Sequence, residues 1–191
     1  MIYSMPFAVL WPAWVLSWLV AARWASKAAA RPPVREQLLY WALVVIGAVA
    51  ISLNFATDFR VMQWMPFDTM EQILFVVALV GLGITWWARI HLGTLWSGTV
   101  TRKAHHKVIK TGPYAIVRHP IYAGISLALI ATVLLRPSWL GILGAALIIT
   151  SFVIKYRLEE RFLMQELGPE YKHYKKETPA LVPFLTSGSR K

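Results

Sequence analysis

Five apolar stretches separated by polar segments dominate the chain. They cover Met5–Ala22, Leu38–Ala56, Ile73–Trp87, Pro120–Leu135 and Trp139–Ile154. A helix needs about 20 residues, within a range of about 17–25, to cross the hydrocarbon core of a bilayer. The second stretch has this length by itself, and the others reach it once flanking Trp, Tyr and small residues are included. The pattern therefore predicts an all-α integral membrane bundle of about five transmembrane helices.

The composition agrees with a membrane protein. Of the 191 residues, 57% are hydrophobic and 15% are charged, whereas soluble domains average about 25% charged residues. The absence of cysteine excludes disulfides, thiolate metal ligands and a cysteine nucleophile. The adjacent His105 and His106 have no further ligands at suitable spacing, so we predict no metal site.

Positive charge is concentrated on alternate loops. Three segments, between the first and second helices, between the third and fourth helices and after residue 154, contain 18 of the 20 Lys and Arg residues. Cytoplasmic loops carry such an excess, so we expect the N-terminus outside and the C-terminus in the cytoplasm. This distribution accounts for the net charge of +11 as that of a membrane protein with basic cytoplasmic loops, so we predict no nucleic-acid partner. Because the basic residues follow the first stretch, we interpret it as a retained helix.

The last two stretches predict a helical hairpin. Pro120 suits the first turn of one helix, and Ser138 can cap the next. The second helix is expected to run to Leu167, where Gly168-Pro169 is a stop signal. Its 29 residues would measure about 43 Å, so it should leave the bilayer near Arg157 and bring 157–160 to the depth of 118–120. Spacing also predicts that Arg157, Glu160 and Met164 share a face.

Two motifs lie at this end of the hairpin. The first is His106-Lys107-Val108-Ile109-Lys110-Thr111-Gly112-Pro113-Tyr114 followed by Val117-Arg118-His119-Pro120-Ile121-Tyr122, and the second is Arg157-Leu158-Glu159-Glu160. They resemble the cofactor motifs of the isoprenylcysteine carboxyl methyltransferase family. The resemblance covers roughly residues 90–184 and implies S-adenosylmethionine as the cofactor.

The resemblance also implies site residues and boundaries. The cofactor-binding residues would be His106, Val108, Ile109, Gly112, Tyr114, His119, Pro120, Tyr122, Glu159 and Glu160; which of the two carboxylates faces the cofactor stays open. Arg157, Arg118 and Glu160 would be catalytic, with an arginine near the acceptor. Residues 1–88 would then hold transmembrane helices 1–3, residues 89–184 the methyltransferase core with a cytoplasmic site, and residues 185–191 a polar tail.

The acceptor is less well defined. Cations around the expected cavity equal or exceed the carboxylates, which favours carboxyl methylation of a lipophilic, isoprenylcysteine-like molecule. Phosphatidylethanolamine N-methylation and small-thiol S-methylation remain alternatives. More distant ones are a sterol-type reductase using a nicotinamide cofactor and a non-enzymatic membrane protein, in which Arg118 would only anchor lipid headgroups and Arg157–Glu160 would be a surface pair. The sequence does not determine the oligomeric state.

Overall fold

The structure, a computed structural model, describes residues 5–25, 34–56, 68–96 and 108–184. The helices are α1 Met5–Ala21, α2 Val34–Ala56, α3 Asp68–Leu92, α4 Pro120–Leu135 and α5 Trp139–Glu177. The described residues contain no strand, and the prediction of an all-α protein is confirmed. The predicted tail 185–191 and the loop residues 97–107, which include His105 and His106, lie outside the described ranges.

The helices are those of a multi-pass membrane protein. α1, α2, α3 and α5 are long and apolar enough to cross a bilayer. α4 has 16 residues and is about 24 Å long, which is shorter than the hydrocarbon core of about 30 Å. Apolar side chains such as Leu16, Val45, Val76 and Leu143 point outward, and each is more than half exposed. Four to five helices are therefore able to span the membrane.

Small residues bring the helices together in two close pairs. A Cβ atom added to Gly47 of α2 would lie 2.6 Å from the carbonyl oxygen of Gly144 in α5. A Cβ atom added to Gly81 of α3 would lie 2.6 Å from the carbonyl oxygen of Gly124 in α4. Such glycines let helix backbones approach closely in a membrane, where packing rather than water drives association. α1 packs through Phe7 on the α3–α4 pair.

The hairpin forms as the sequence predicts. Pro120 occupies the first turn of α4, and the Ser138 hydroxyl accepts a hydrogen bond from the Gly141 amide at 3.0 Å. Asn54 of α2 donates to the Arg136 carbonyl at 3.2 Å, which ties the turn between α4 and α5 to a neighbouring helix. Two polar anchors thus fix the end of the hairpin that lies away from the cluster of charged residues described below.

The regular helix that begins at Trp139 ends at Leu167, as the stop signal Gly168-Pro169 predicts, but a second helical segment follows that the sequence analysis did not predict. The helix bends at Gly168, where φ is 52°, and continues through residues 169–177. A positive φ is accessible to glycine without a steric penalty, and Pro169 suits the first turn of the segment that follows. Since a crossing uses about 20 residues, α5 leaves the hydrocarbon before Glu160. The bend then directs the last helical segment back towards the start of α4.

α3 is also longer than the apolar pattern predicts. It begins at Asp68 and ends at Leu92, five residues beyond the predicted stretch on each side. Arg89 and His91 lie in its last turn. A helix can continue beyond the hydrocarbon through polar residues. The end of an apolar stretch therefore marks the edge of the membrane and not the end of the helix.

Candidate active site

The loop before α4 is shaped by a glycine. Residues Gly112–Ala115 form a 3₁₀ turn, and Gly112 has a φ of 58°. A Cβ atom at Gly112 would overlap the ring of His91 from α3. The turn buries Tyr114, whose carbonyl oxygen accepts a hydrogen bond from the Tyr174 hydroxyl at 2.6 Å. The loop is therefore held between α3 and the segment that follows the bend in α5.

Arg118 joins the same two regions. Its Nε donates to Glu160 Oε1 at 2.8 Å, and its Nη2 lies 2.6 Å from the same oxygen. Its Nη1 donates to the carbonyl oxygens of Lys175, at 3.0 Å, and Thr178. The backbone amides of Arg118 and His119 donate to the carbonyl oxygens of Pro179 and Ala180 at 2.8 and 3.0 Å. The residues after α5 thus close over the start of α4.

Glu160 is the centre of this ion cluster. His119 Nε2 lies 3.2 Å from Glu160 Oε1, and Lys175 Nζ lies 2.8 Å from Oε2. The residue is only 3% exposed. Burial by itself raises the pKa of a carboxyl group, but hydrogen bonds from His119, Lys175 and Arg118 outweigh it and lower the pKa of Glu160 to about 2. Glu160 is therefore a charged structural anchor at neutral pH.

Glu159 has a different environment. Its Oε1 accepts a hydrogen bond from the Tyr122 hydroxyl at 2.7 Å, and its Oε2 lies 3.7 Å from His119 Nδ1. The His119 ring is stacked with Tyr156 at 4.9 Å and with Tyr122 at 5.7 Å between ring centroids. Burial and the negative charge of Glu159 together raise the pKa of the Tyr114 phenol well above the ordinary value. Glu159 therefore faces aromatic side chains, whereas Glu160 faces cations.

These groups border a cavity of about 470 Å³, within the range of about 300–1,000 Å³ that small-molecule sites occupy. The wall from the ends of α1 and α3 is entirely apolar and comprises Trp18, Leu19, Ala22, Leu92, Leu95 and Trp96. The facing wall, from the loop before α4 and from α5, carries Arg118, His119, Lys155 and Glu159. The cavity is therefore amphipathic, with charge on one wall and hydrocarbon and indole on the other.

Most of the predicted site residues meet at this cavity. Its lining includes Val108, Ile109, Tyr114, Arg118, His119, Pro120, Tyr122 and Glu159. Gly112 and Glu160 are not part of the lining. Gly112 packs against His91, and Glu160 binds the lining residue Arg118. His106 lies outside the described residues.

Arg157 is placed differently from the rest. It follows the spacing that the sequence analysis noted with Glu160 and Met164, but Arg157 is exposed whereas Glu160 is buried. Residues three apart on a helix differ by about 60° in direction, which is enough to separate solvent from the packed interior. Arg157 also contributes nothing to the cavity lining. Its catalytic role stays a prediction that the geometry does not favour.

Sequence reasoning missed two kinds of lining residue. Lys155 lies over the rings of Tyr40 and Tyr122, at 5.5 Å from each centroid, and 6.0 Å from that of Trp41. Its position four residues before Glu159, one helical turn, was the available signal. Trp18 and Trp96 carried no such signal, because they resemble the interfacial tryptophans of any membrane helix.

The sequence is similar to those of known methyltransferases. A sequence model of the isoprenylcysteine carboxyl methyltransferase family matches residues 72–165. The chain is 26% identical to protein-S-isoprenylcysteine O-methyltransferase B of Arabidopsis thaliana over 163 residues, 74% of this chain and 80% of that protein. It is 31% identical to protein-S-isoprenylcysteine O-methyltransferase of Saccharomyces cerevisiae over 85 residues, 44% of this chain and 36% of that protein.

A further relative is named for a different acceptor. Methanethiol S-methyltransferase 2 of Bradyrhizobium diazoefficiens is 38% identical over 78 residues, 40% of this chain and 29% of that protein. The family match covers most of α3, all of α4 and most of α5, and it includes the loop before α4, His119 and Glu159. The chain therefore belongs to the isoprenylcysteine carboxyl methyltransferase family and is a membrane methyltransferase.

Proposed function

We propose that this protein transfers a methyl group from S-adenosylmethionine to the carboxylate of a lipophilic, isoprenylcysteine-like acceptor. The observation that carries the proposal is the amphipathic cavity, in which charged and apolar walls face one space between membrane helices. A molecule with a carboxylate and a long hydrocarbon chain matches both walls. The names of the two isoprenylcysteine methyltransferases above support the same acceptor class.

The residues on the charged wall fit this cofactor. Glu159 offers a carboxylate that can accept hydrogen bonds from hydroxyl groups or pair with an ammonium group. Tyr122 and Tyr114 line the cavity, and aromatic faces attract cations. S-adenosylmethionine supplies, when bound, a methyl group activated by a positively charged sulfur. The protein's contribution is to hold it beside the acceptor and to exclude water, since orientation accounts for much of the rate of such transfers.

Lys155 is the cation that we assign to the acceptor. It lines the cavity one helical turn from Glu159, whereas Arg157 does not reach the lining. Arg118, Lys155 and Lys175 provide three positive charges in the cavity wall and ion cluster, against the two carboxylates of Glu159 and Glu160. The excess favours an anionic group. A carboxylate is already nucleophilic at neutral pH, so it needs a cation to hold it and no base to activate it.

A thiol acceptor is the second candidate, because one relative is named a methanethiol S-methyltransferase. A thiol has to lose its proton before transfer, and neighbouring cations lower the pKa of a thiol. The same excess of positive charge would therefore serve it. The long apolar wall argues for the larger acceptor, since methanethiol would leave Trp18 and Trp96 without contact.

We also propose that the site opens to the cytoplasm. The basic residues on alternate loops support an outside N-terminus and an inside C-terminus. Reporter fusions after Thr57, Gly98, Pro137 and Thr186 should be outside, inside, outside and inside in turn. An outside signal at Gly98 would contradict this orientation, because that loop continues into the cavity wall.

Methyl transfer to three acceptors in parallel tests the proposed function. Purified full-length protein in lipid vesicles is given S-adenosylmethionine labelled in its methyl group and either N-acetyl-S-farnesylcysteine, phosphatidylethanolamine or methanethiol, from pH 6 to 9. We expect a base-labile methyl ester on the farnesylcysteine and a rate with little pH dependence. Amine or thiol methylation that rises with pH, without ester formation, would exclude the carboxylate acceptor.

Variants on the charged wall separate the residue assigned to the cofactor from the one assigned to the acceptor. Glu159→Gln should weaken S-adenosylmethionine binding by about 1.5–3 kcal/mol, the value of a hydrogen bond to a charged group, as measured by calorimetry in detergent. Lys155→Met should raise the KM of the acceptor and leave cofactor affinity unchanged. Lys172→Met, at an exposed position of α5, is the matched control. If Arg157→Met abolished turnover and Lys155→Met did not, the prediction made from sequence for Arg157 would be restored.

A further inference from the structure

A buried arginine lies behind the apolar wall of the cavity. Arg89, in the last turn of α3, has 0% of its surface exposed and is not itself part of the lining. A charged side chain at the end of a membrane helix usually extends towards water. Arg89 instead points into the protein, where the proposed function gives it no role.

The guanidinium joins the ends of two helices. Its Nη2 donates to the carbonyl oxygen of Ala21, the last residue of α1, at 2.5 Å. Its Nη1 donates to the carbonyl oxygen of Gly93 at 2.8 Å, in the 3₁₀ turn Gly93–Leu95 that follows α3. Both carbonyl groups lie at helix ends, where the backbone has spare acceptor capacity, and that of Gly93 also accepts from the Trp96 amide at 3.4 Å. One planar cation therefore fixes α1 relative to the end of α3.

The same cation supports the tryptophans of the wall. Its Cζ lies 4.0 Å from the centroid of Trp96 and 5.9 Å from that of Trp24. Trp96 in turn packs edge to face with Trp18 of α1, with 5.5 Å between their centroids. Trp18 and Trp96 both line the cavity. The position of this part of the wall thus depends on contacts that converge on Arg89.

Stability alone does not account for the arginine. Among the residues that the structure describes, Arg89 Nε is buried and has no hydrogen-bond partner. Burying a charge is costly even when it is paired, and apolar replacements of similar volume are often neutral or stabilising. A Met at this position would fill most of the space without burying a charge, at the loss of the hydrogen bonds to Ala21 and Gly93. What a Met cannot do is hold Ala21, Gly93 and Trp96 at fixed positions at once.

We propose that Arg89 is a positioning residue for the acceptor: it sets the Trp18–Trp96 wall against which the hydrocarbon chain of the acceptor lies. This inference rests on the proposed function, because it assigns the apolar wall to the apolar part of that acceptor. It predicts that replacement of Arg89 weakens binding of the hydrocarbon chain of the acceptor. The affinity for the cofactor, which is assigned to the facing wall, should be unchanged.

The test compares acceptors that differ only in chain length. Binding and methylation of N-acetyl-S-farnesylcysteine and N-acetyl-S-geranylcysteine are measured for wild type, Arg89→Met and Arg89→Lys in vesicles. We expect the KM and Kd of the farnesyl compound to rise about tenfold in both variants, since a 1 Å misplacement can cost about a hundredfold. The preference for the longer chain should narrow, and the affinity for S-adenosylmethionine should stay within about twofold of wild type. Lys restores charge without the planar fork, so it should not rescue the preference.

Arg136→Met is the matched control. Arg136 also donates to a backbone carbonyl of a neighbouring helix, that of Phe55 at 3.2 Å, but it lies in the turn at the opposite end of the hairpin. It should lower the midpoint of thermal unfolding and leave chain-length preference as in wild type. If Arg89→Met behaves in the same way, with lower stability and unchanged preference, Arg89 is only structural and the inference is refuted.

Two further arms keep the outcome decisive. If Arg89→Met does not fold, Trp96→Leu removes the supported side chain instead, and an unchanged Kd ratio for the two compounds in this variant would refute the inference. If wild type binds the farnesyl compound without methylating it, the proposed function fails, whereas the binding data on Arg89→Met still decide this inference. If wild type does not bind the compound, both fail together.

Discussion

Replacing Glu160 by glutamine is the most informative single perturbation of this site. The change keeps the size of the side chain and removes its charge. Arg118, Lys175 and His119 all point at the carboxylate within 3.2 Å. A neutral amide cannot accept from all of them, and its NH₂ group would face donors. The variant therefore leaves a buried guanidinium without its counter-charge.

The magnitude follows from the pKa of Glu160. A fall from the ordinary value of 4.5 to about 2 corresponds to about 3 kcal/mol of preference for the charged form in the folded protein. Removal of one partner from a buried ion pair typically costs about 3–5 kcal/mol. We expect Glu160→Gln to lower the free energy of unfolding at pH 7 by about 3 kcal/mol, a large share of the stability of a small protein.

The pH dependence has a definite direction. Because the pKa of Glu160 is lower in the folded protein, its contribution is fully present above pH 4.5 and is lost as the pH falls from 4.5 towards 2. The difference in stability between wild type and Glu160→Gln should therefore narrow over that interval and remain constant from pH 6 to 8.

Thermal unfolding in detergent, followed by circular dichroism from pH 3 to 8, measures this difference. Glu177→Gln is the control, because Glu177 pairs with His173 at 3.1 Å on the same helix but both side chains are more than half exposed. Exposed pairs contribute little, so this variant should match wild type. A Glu160→Gln difference as small as that of Glu177→Gln, or one without pH dependence, would refute the ion cluster as the anchor of the loop.

Three further predictions concern the loop and the helix contacts. Gly112→Ala should destabilise the protein by about 1–2 kcal/mol through the positive φ alone, and by more because the added Cβ would overlap the His91 ring. Gly83→Ala, in open space within α3, should instead stabilise it by about 0.5–1 kcal/mol; thermal unfolding compares the two. Tyr174→Phe removes the hydrogen bond to Tyr114 and should cost about 1 kcal/mol, with faster hydrogen exchange at residues 169–180. Gly144→Ala should cost about 1–3 kcal/mol by overpacking, measured by thermal unfolding, and cofactor affinity per folded molecule should be unchanged.

The helices and their order could be predicted because membrane helices are defined by length and hydrophobicity, and the caps at Pro120 and Ser138 by local chemistry. The direction of side chains could not. Lys155, Arg157, Glu159 and Glu160 lie within two turns of α5, and each residue advances by about 100° around the axis. Small differences in helix phase therefore decide which of them reaches the cavity. The choice between Glu159 and Glu160 was left open for this reason. The structure gives the two carboxylates different neighbours, and the assignment of Glu159 to the cofactor stays a proposal.

Local sequence signals located the interruption at Gly168 but did not predict the helical segment that follows it, and the cavity depends on that segment. Glycine followed by proline does end regular hydrogen bonding, but here the chain has something to pack against after the bend. Tyr171 and Tyr174 are 4% exposed and line the cavity, while Lys175 reaches back to Glu160 at 2.8 Å. Without the helical segment after Gly168, Glu160 and Arg118 would face water and the cavity would be open on that side. The ion cluster and the bend therefore depend on each other: buried charges are stable only under the cover that the bend provides, and the cover is held in place by those charges.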